Sequence, residues 1–273
     1  MINSQILITN DDGIESPGLQ AAVEAVINLG EVTVIAPTSQ QTGTGRGLTG
    51  NKHSTLSPVE YAVNGKNIKA FHCDCSPALI VRHSLMTVFG VEKPDLVISG
   101  INYGENLGAS VTCSGTVGAA LEAASEGIPS IAISKQTDIA SHHKYTDQDW
   151  STTAYFLQYF SELLLNNTMM HDVDVLKIDV PESATSDTAW KFTKLARSGY
   201  YFKEIETPSL ECKLNAGSTV IKIDKSKLNP DTDIHTFAIQ NLISVTPLSI
   251  DISSRVDFDD LQNHINNLKQ LAE

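Results

Sequence analysis

Cysteine is scarce in this sequence, and the spacing in which cysteines usually bind metals is missing. The 273 residues include four cysteines, and no two of them stand in a C-x-x-C spacing. Four thiols are too few for a disulfide framework in a chain of this length, and a structural zinc site is not indicated. We therefore expect reduced thiols, which are typical of a cytoplasmic protein.

Long apolar stretches are also missing. Nowhere do about 18 apolar residues follow one another, so the sequence predicts no transmembrane helix and no membrane partner. The opening residues, MINSQILITNDD, lack the basic start and the apolar stretch of a secretory signal. This absence again favours the cytoplasm.

Positive charge is in short supply. Lysine and arginine together number 19 against 32 acidic residues, which gives a formal net charge of −13. Such a balance disfavours binding to nucleic acid or to anionic membranes, because both partners would be negative. A small anionic substrate is still compatible with it, provided that a metal ion or backbone amides neutralise the substrate locally.

Two missing motifs narrow the enzyme classes. The sequence contains neither G-x-S-x-G nor a P-loop, so serine-triad hydrolysis and ATP-driven work lack support. The eight histidines show no metal-ligand spacing. The adjacent His142 and His143 lie in a polar stretch, which predicts that they are exposed.

Strand and helix patterns alternate through the first half of the chain. The strands are predicted at 5–9, 31–36, 95–100 and 130–134, a hairpin at 61–71, and helices at 17–29, 77–89 and 116–126. Apolar strands separated by helices of this length predict βαβ units. We therefore expect an α/β fold whose mostly parallel sheet has helices on both faces.

The pattern becomes less regular beyond about residue 140. A helix is predicted at 147–165, a strand at 173–180, charged irregular sequence at 200–230, a strand at 242–251 and a polar helix at 258–271. Neither a repeat nor a Pro/Gly-rich linker divides the chain. We expect one domain over 1–273, with a catalytic core at about 1–140 and an extension at about 200–273 that serves oligomerisation.

Three predicted strands end in polar or glycine-rich loops, TNDDG, APTSQQTGTGRG and SGINYGENLGASVTCSGT. The carboxyl ends of parallel strands meet at one edge of a sheet, so these loops should converge. Asp11 and Asp12 offer carboxylate oxygens, while Thr42 and Asn102 offer a hydroxyl and an amide oxygen. Oxygen ligands with two carboxylates suit Mg²⁺, Mn²⁺ or Ca²⁺.

Two other interpretations of the acidic pair remain. Asp-Asp-Gly, taken alone, is also an ordinary turn at the end of a strand. A receiver-type acidic pocket is a weaker interpretation, because it needs a further aspartate after a central strand and the strand at 95–100 leads into ISGIN.

The start of the predicted helix at 116 is a second candidate site. Ser114, Gly115 and Thr116 precede it, and the unpaired amides and positive dipole end of a helix start attract anions. Asn106 and nearby glycines add donors and close approach. A plain Ser/Thr helix cap explains the same residues in isolation. GTGRG, at 43–47, predicts a mobile loop over the site. Arg46 is expected in solvent, and contact with an anion is the less favoured alternative.

Together these stretches resemble the SurE family, the survival protein E nucleotidases. The resemblance is carried by TNDDGIESPGL, APTSQQTG, ISGINYGENLG and SGTVGAALEAASEGIPSIAIS, and more weakly by LKIDVP and TDIHTFAIQNLISVTPLSID. It spans nearly the whole chain, in order. The resemblance implies a Rossmann-like fold with a C-terminal extension that exchanges between subunits, giving homodimers or homotetramers.

The resemblance also implies an activity. Family members are divalent-metal-dependent phosphatases of nucleoside 5′- or 3′-monophosphates, and some trim short polyphosphate. Carried onto this chain, the ligands of one metal ion, Mg²⁺ or Mn²⁺, are Asp11, Asp12, Thr42 and Asn102. The two aspartates are also the catalytic candidates, with Asp11 favoured as general base. An aspartyl-phosphate intermediate is less favoured, since Lys135 is the one lysine available to support it.

The phosphate pocket that the resemblance implies lies at Asn10, Asn106, Ser114, Gly115 and Thr116. Hydrogen bonds from these residues would position the phosphoryl oxygens and stabilise their charge. We therefore expect phosphomonoester hydrolysis, assisted by a metal ion.

The sequence departs from the family pattern at several positions. Thr42 stands where a serine is usual, Thr38 and Leu79 where an acid is usual, and Cys113 where an aromatic residue is usual. None of these changes removes a predicted metal ligand. They motivate a competing hypothesis, a non-catalytic module that binds nucleotide and metal but has lost turnover.

Overall fold

The computed structural model describes residues 4–270 and arranges nine strands in one central sheet. The strands are β1 (Gln5–Thr9), β2 (Glu31–Pro37), β3 (Ser57–Pro58), β4 (Ala62–Val63), β5 (Lys66–Asn67), β6 (Lys69–Cys73), β7 (Leu96–Tyr103), β8 (Ser130–Lys135), β9 (Val175–Val180), β10 (Trp190–Phe192), β11 (Tyr201–Glu204), β12 (Ser218–Ile221) and β13 (Ile243–Leu248). The α-helices are α1 (Pro17–Val26), α2 (Pro77–Ser84), α3 (Gly115–Ala124), α4 (Ser151–Asn166) and α5 (Phe258–Gln270).

The order of the strands reverses beside β1. The sheet runs β10-β13-β9-β8-β7-β1-β2-β6-β3, so the chain moves from β1 outward through β2 and β6 and then returns to β7 on the opposite side. The pairs from β9 to β6 are parallel, whereas β3 and β13 run antiparallel to their neighbours β6 and β9. This switch point, between β1 and β7, is where open α/β sheets bind ligands.

Both faces of the central strands are buried, which is why β1, β2 and β7 are mainly apolar. Ile6 and Ile8 of β1 join the core beneath α1 and α4, whereas Leu7 points to the other face and joins the core beneath α2 and α3. Side chains alternate between the faces of a strand, so a strand covered by helices on both sides has no polar face. The predicted α/β class with helices on both faces is therefore confirmed.

Most predicted elements are present, with shifted ends. β7 runs three residues beyond the predicted end, because its last residues pair with β8 through Asn102–Ser134 and Tyr103–Lys135. α2 ends at Ser84 and continues as a π-helical turn at Leu85–Phe89. The predicted hairpin divides into β4 and β5, which pair with each other, and β6, which joins the central sheet.

The later part of the chain holds more structure than the sequence predicts. β11 and β12 form an antiparallel hairpin within the stretch predicted to be irregular. Residues 1–3 of the predicted core and residues 271–273, where the predicted last helix ends, lie outside the described residues. Within 4–270, none of the helices combines the length and the apolar character needed to span a lipid bilayer.

Candidate active site

The loops that follow β1, β2 and β7 meet above the switch point, around a cavity of about 190 Å³. Its walls include Asp11 from the first loop, Thr42 from the second, and Asn102, Asn106 and Ser114 from the third. The predicted convergence of the three loops is therefore what the structure has. A larger cleft, of about 650 Å³ between α1 and the start of α4, is lined by none of the predicted site residues.

Asp11 is held by the start of α3. Its side chain is buried, 4% exposed, and its Oδ1 accepts a hydrogen bond of 2.5 Å from the Thr116 hydroxyl. The backbone amides of Gly115 and Thr116 also donate to this carboxylate. Burial nevertheless raises the pKa of Asp11, because these donors offset only part of the lost hydration.

Asp12 is buried beside it, 2% exposed. Its Oδ1 accepts from the Gln40 amide at 3.2 Å and its Oδ2 from the Tyr103 backbone N–H at 3.1 Å. Burial raises the pKa of Asp12 from 3.8 to about 8, and the neighbouring charge of Asp11 adds to the rise. Among the side chains that the structure describes, no lysine or arginine forms an ion pair with either carboxylate.

The surrounding donor atoms fit a hard divalent cation. The Asn102 amide nitrogen donates to the Gly104 carbonyl at 2.6 Å, which turns the amide oxygen away from that bond and leaves it available as a ligand. Thr42, exposed at the rim, brings a hydroxyl to the same cavity. Two buried carboxylates, an amide oxygen and a hydroxyl form an all-oxygen set that suits Mg²⁺ or Mn²⁺.

The predicted phosphate residues divide into two groups. Asn106 and Ser114 line the cavity, although the Ser114 hydroxyl caps α3 by accepting from the Val117 N–H at 3.1 Å. Asn10 instead closes its own turn, since its side chain bonds both the N–H and the carbonyl of Gly13 at 3.1 Å. Asn10 therefore shapes the acidic turn, and none of its side-chain bonds reaches across the cavity.

Gly115 and Thr116 serve Asp11 directly. A Cβ at Gly115 would lie 2.8 Å from Asp11 Cβ and Oδ2, so only glycine permits this close approach of helix and carboxylate. Thr116 is fully buried beneath it. Ser114 therefore caps α3, as one interpretation predicted, and the same helix start also contacts an anion, which is the Asp11 carboxylate.

Two residues predicted to be exposed have partners at the site. The side chain of Arg46 is exposed as predicted, at 39%, but its Nε also lies 2.7 Å from Glu122 Oε2, and Glu122 pairs with Arg82 at 2.5 Å. The buried Glu122 of α3 therefore anchors the loop at 43–47, which was predicted to be mobile, through its ion pair with Arg46. His142 is only half-exposed, lines the cavity and packs edge-on against Tyr201 at 5.6 Å. The side chain of His143 lies outside the described part of the chain.

Several residues at the site were not predicted. Gln40 and the Tyr103 N–H orient Asp12, and the Tyr145 hydroxyl donates to the Asp12 carbonyl at 2.7 Å. Glu105 and Tyr201 line the cavity beside His142. Gln40 lies in APTSQQTG, one of the stretches that carry the family resemblance, so its presence at the site could have been predicted from the sequence. Tyr145 and Tyr201 come from distant segments whose local sequence gives no indication of the site.

Comparison with known proteins agrees with this arrangement. Residues 6–201 match the family model described as Survival protein SurE. The chain is 38% identical over 264 residues to the 5′-nucleotidase SurE of Thermococcus gammatolerans, covering 95% of each chain. It is also 38% identical to the 5′-nucleotidase SurE of Archaeoglobus fulgidus, covering 97% of this chain and 98% of that one.

A solved structure gives the same result at lower identity. The crystal structure of the SurE protein from Aquifex aeolicus superposes with a TM-score of 0.72 at 26% identity, covering 98% of this chain and all of the other. The family model spans well over half of the 273 residues, and relatives of more than 30% identity match nearly the full length. The chain belongs to the SurE family.

Proposed function

We propose that this protein is a divalent-metal-dependent phosphomonoesterase that hydrolyses nucleoside 5′-monophosphates to nucleoside and phosphate. The observation that carries the proposal is the pair of adjacent buried carboxylates, Asp11 and Asp12, with which no described lysine or arginine forms an ion pair. Asp11 lines the same cavity as Thr42 and Asn102. The relatives named 5′-nucleotidase, at 38% identity over nearly the whole chain, support the choice of substrate.

The acidic pair, Thr42 and Asn102 would hold one Mg²⁺ or Mn²⁺ ion. A divalent cation bound there supplies charge neutralisation at the phosphoryl oxygens and lowers the pKa of water. The adjacent carboxylates would otherwise repel each other strongly in a buried site, so the cation also explains why they are tolerated together.

The remaining roles belong to the protein. Asp11 borders the cavity, and its Oδ2 is not the atom that Thr116 holds, so we propose Asp11 as the base that orients the attacking water. The Asn106 side chain, which also lines the cavity, would position a phosphoryl oxygen. Lys135 does not support an aspartyl-phosphate route, because its ammonium group donates to Gln148 at 3.4 Å and pairs with neither aspartate.

The competing hypothesis of a binding module without turnover is not supported. Its motivation was the replacement of family residues at positions such as Thr42 and Cys113. Thr42 retains a hydroxyl, and both aspartates and the SGT segment are kept. The relatives that match nearly the whole chain carry the name of an enzyme.

We further propose that the C-terminal part of the chain assembles a homodimer or homotetramer. α5 carries a stripe of apolar side chains at helical spacing, all between 40% and 73% exposed: Phe258, Leu261, Ile265 and Leu268. Such a face needs an apolar partner. A second copy of this chain is the partner that the family resemblance implies. Hydrolysis of 3′-monophosphates and a cytoplasmic location also stay predictions.

Phosphate release tests the activity. Wild type is incubated with each of the common nucleoside 5′- and 3′-monophosphates, with Mg²⁺, Mn²⁺ or EDTA. We expect metal-dependent release, lowered by at least about 100-fold in Asp11→Asn. Asp187→Asn, on an exposed loop, is the matched control and should remain fully active. No release from any monophosphate or from p-nitrophenyl phosphate, at any metal concentration, would refute the proposal.

A further inference from the structure

Three charged side chains are buried together behind the active-site cavity. Lys177 and Asp179 lie two residues apart on β9, and Asp233 precedes a π-helical turn at His235–Ile239. Their side chains are at most 1% exposed. We call these three residues the buried ion cluster. The proposed chemistry uses none of them.

The contacts of the buried ion cluster converge on the backbone around Asn106. Asp179 Oδ1 accepts from the Asn106 N–H at 2.7 Å, and Lys177 Nζ donates to the Asn106 carbonyl at 2.8 Å. Asp233 Oδ2 accepts from the Gly108 N–H at 2.9 Å. Both backbone polar groups of Asn106 are therefore bound by the cluster, and so is the amide two residues further on.

The buried ion cluster is itself fully connected. The Lys177 ammonium has three donors and three partners: Asp179, the Asn106 carbonyl and, at 3.4 Å, Asp233. Asp233 Oδ1 also accepts from the Ala196 and Ile234 N–H groups at 2.9 and 2.8 Å. Burial alone would lower the pKa of Lys177, but the two carboxylates outweigh it and raise the pKa above its ordinary value.

Stability is a weak reason to keep such a cluster. Taking three charges out of water is costly, and apolar side chains of similar volume often stabilise a fold as well or better. What apolar side chains cannot do is bind an N–H and a carbonyl in one orientation. The cluster provides charge-assisted hydrogen bonds to both, and such bonds are the strongest that a backbone segment can receive.

The direction of the Asn106 side chain follows from this backbone. Its amide nitrogen donates to Ser134 Oγ at 3.0 Å, and the side chain lines the same cavity as Asp11. We infer that the buried ion cluster is a positioning device that holds Asn106 where it contacts the phosphoryl group. This inference rests on the proposed function, because it assigns the phosphate contact to Asn106.

A double-mutant cycle separates positioning from general support of the fold. The variants are Asp179→Asn, Asn106→Ala and their combination, assayed for kcat, KM and inhibition by inorganic phosphate. We expect Asp179→Asn alone to lower kcat/KM by about 10–100-fold and to weaken phosphate inhibition. In the Asn106→Ala background the same change should cost less than about twofold, because coupled residues are not additive.

Lys194→Met is the matched control. Lys194 pairs with Asp231 at 2.8 Å close to Asp233, but its side chain is 79% exposed. We expect its activity and phosphate inhibition to equal those of wild type. If Asp179→Asn fails to fold, the double variant Lys177→Met with Asp179→Leu replaces it. It removes Lys177 together with its nearer partner, and Asp233 still accepts from the Gly108, Ala196 and Ile234 N–H groups.

Amide exchange of the metal-free protein gives a readout that does not depend on turnover. Asp179→Asn should accelerate hydrogen–deuterium exchange at residues 105–108, while exchange in the Lys194→Met control stays as in wild type. The inference is overturned if Asp179→Asn lowers kcat/KM by the same factor in the Asn106→Ala background as in wild type. It is also overturned if Asp179→Asn leaves amide exchange at residues 105–108 unchanged. An inactive wild type with faster exchange in Asp179→Asn instead refutes the proposed function and leaves the positioning role standing.

Discussion

Replacing Asp12 by asparagine should stabilise the metal-free protein while abolishing its response to metal. Asp12 is buried against Asp11, and no described lysine or arginine pairs with either. Asparagine keeps the shape of the side chain and can still accept from Tyr103 N–H, but it removes the mutual repulsion. At an ordinary buried and hydrogen-bonded aspartate, such a change would lower the free energy of unfolding of the protein. An increase in the free energy of unfolding would therefore indicate repulsion between Asp11 and Asp12.

The magnitude follows from the protonation of Asp12. Burial and the charge of Asp11 raise the pKa of Asp12 from 3.8 to about 8. Below pH 3.8 both the folded and unfolded chains hold the proton, so the favourable contribution is complete there. As the pH rises towards 8, the unfolded chain releases the proton before the native state does, and stability is lost. The loss is about 4 kcal/mol at pH 7 and about 2 kcal/mol at pH 5.

Thermal melts in EDTA, followed by circular dichroism between pH 5 and 8, measure this loss. We expect the melting temperature of wild type to fall with rising pH and that of Asp12→Asn to stay nearly level. At pH 7.5 the variant should melt about 5–10 °C higher. The gain is smaller than the full penalty, because the new amide nitrogen needs an acceptor of its own. Asp187→Asn, on an exposed loop, should follow wild type.

Added metal should narrow the difference between the melting temperatures of wild type and Asp12→Asn. A ligand present at 100 times its dissociation constant stabilises the native state by about 2.7 kcal/mol, so Mg²⁺ or Mn²⁺ should raise the melting temperature of wild type. Asp12→Asn should gain little. The reasoning is refuted if Asp12→Asn lowers the melting temperature of the metal-free protein equally at pH 5 and pH 7.5, because the pair would then be stabilising without a cation.

Three further predictions concern the surroundings of the site. Thr116→Val should weaken Mn²⁺ binding by about 10–100-fold in isothermal titration calorimetry, because it removes the donor that orients Asp11. Thr116→Ser should bind Mn²⁺ almost as wild type does, and equal binding by the two variants would contradict this role. Glu122→Gln should speed proteolytic cleavage at 43–47, because it breaks both arginine pairs; an unchanged cleavage rate would show that the ion pairs do not hold the loop. Leu261→Glu should reduce the molar mass measured by light scattering, whereas Gln262→Glu, also on α5, should not; an unchanged mass for Leu261→Glu would remove α5 from the interface.

Much of the fold follows from local pattern. β1 occupies the predicted residues 5–9, because three consecutive apolar side chains can be buried on alternate faces only in a sheet covered on both sides. The edges are less predictable. β7 ends at Tyr103 because β8 continues to pair with it, and a pairing partner 32 residues away leaves no mark on the local sequence.

The convergence of the candidate ligands was predictable, whereas the contacts that support them were not. Asp11, Thr42 and Asn102 follow from the rule that loops after parallel strands converge, and the cavity does bring them together. The contact of Asp179 with the Asn106 N–H could not be predicted in this way, because a charged residue within a strand pattern does not indicate which backbone amide it binds. Contacts between side chain and backbone depend on how segments pack, and local propensity carries no information about that packing.

The start of α3 shows how local sequence and the packing of distant segments together determine the site. The N-terminus of a helix attracts an anion, and from the sequence we expect phosphate at this place. In the structure the Gly115 and Thr116 amides and the Thr116 hydroxyl bind Asp11. A carboxylate that receives these donors is more easily kept ionised, and an ionised Asp11 attracts a cation more strongly. Under the proposed function, the helix would therefore act on an anionic substrate indirectly, because it favours the ionised carboxylate that would hold the metal ion.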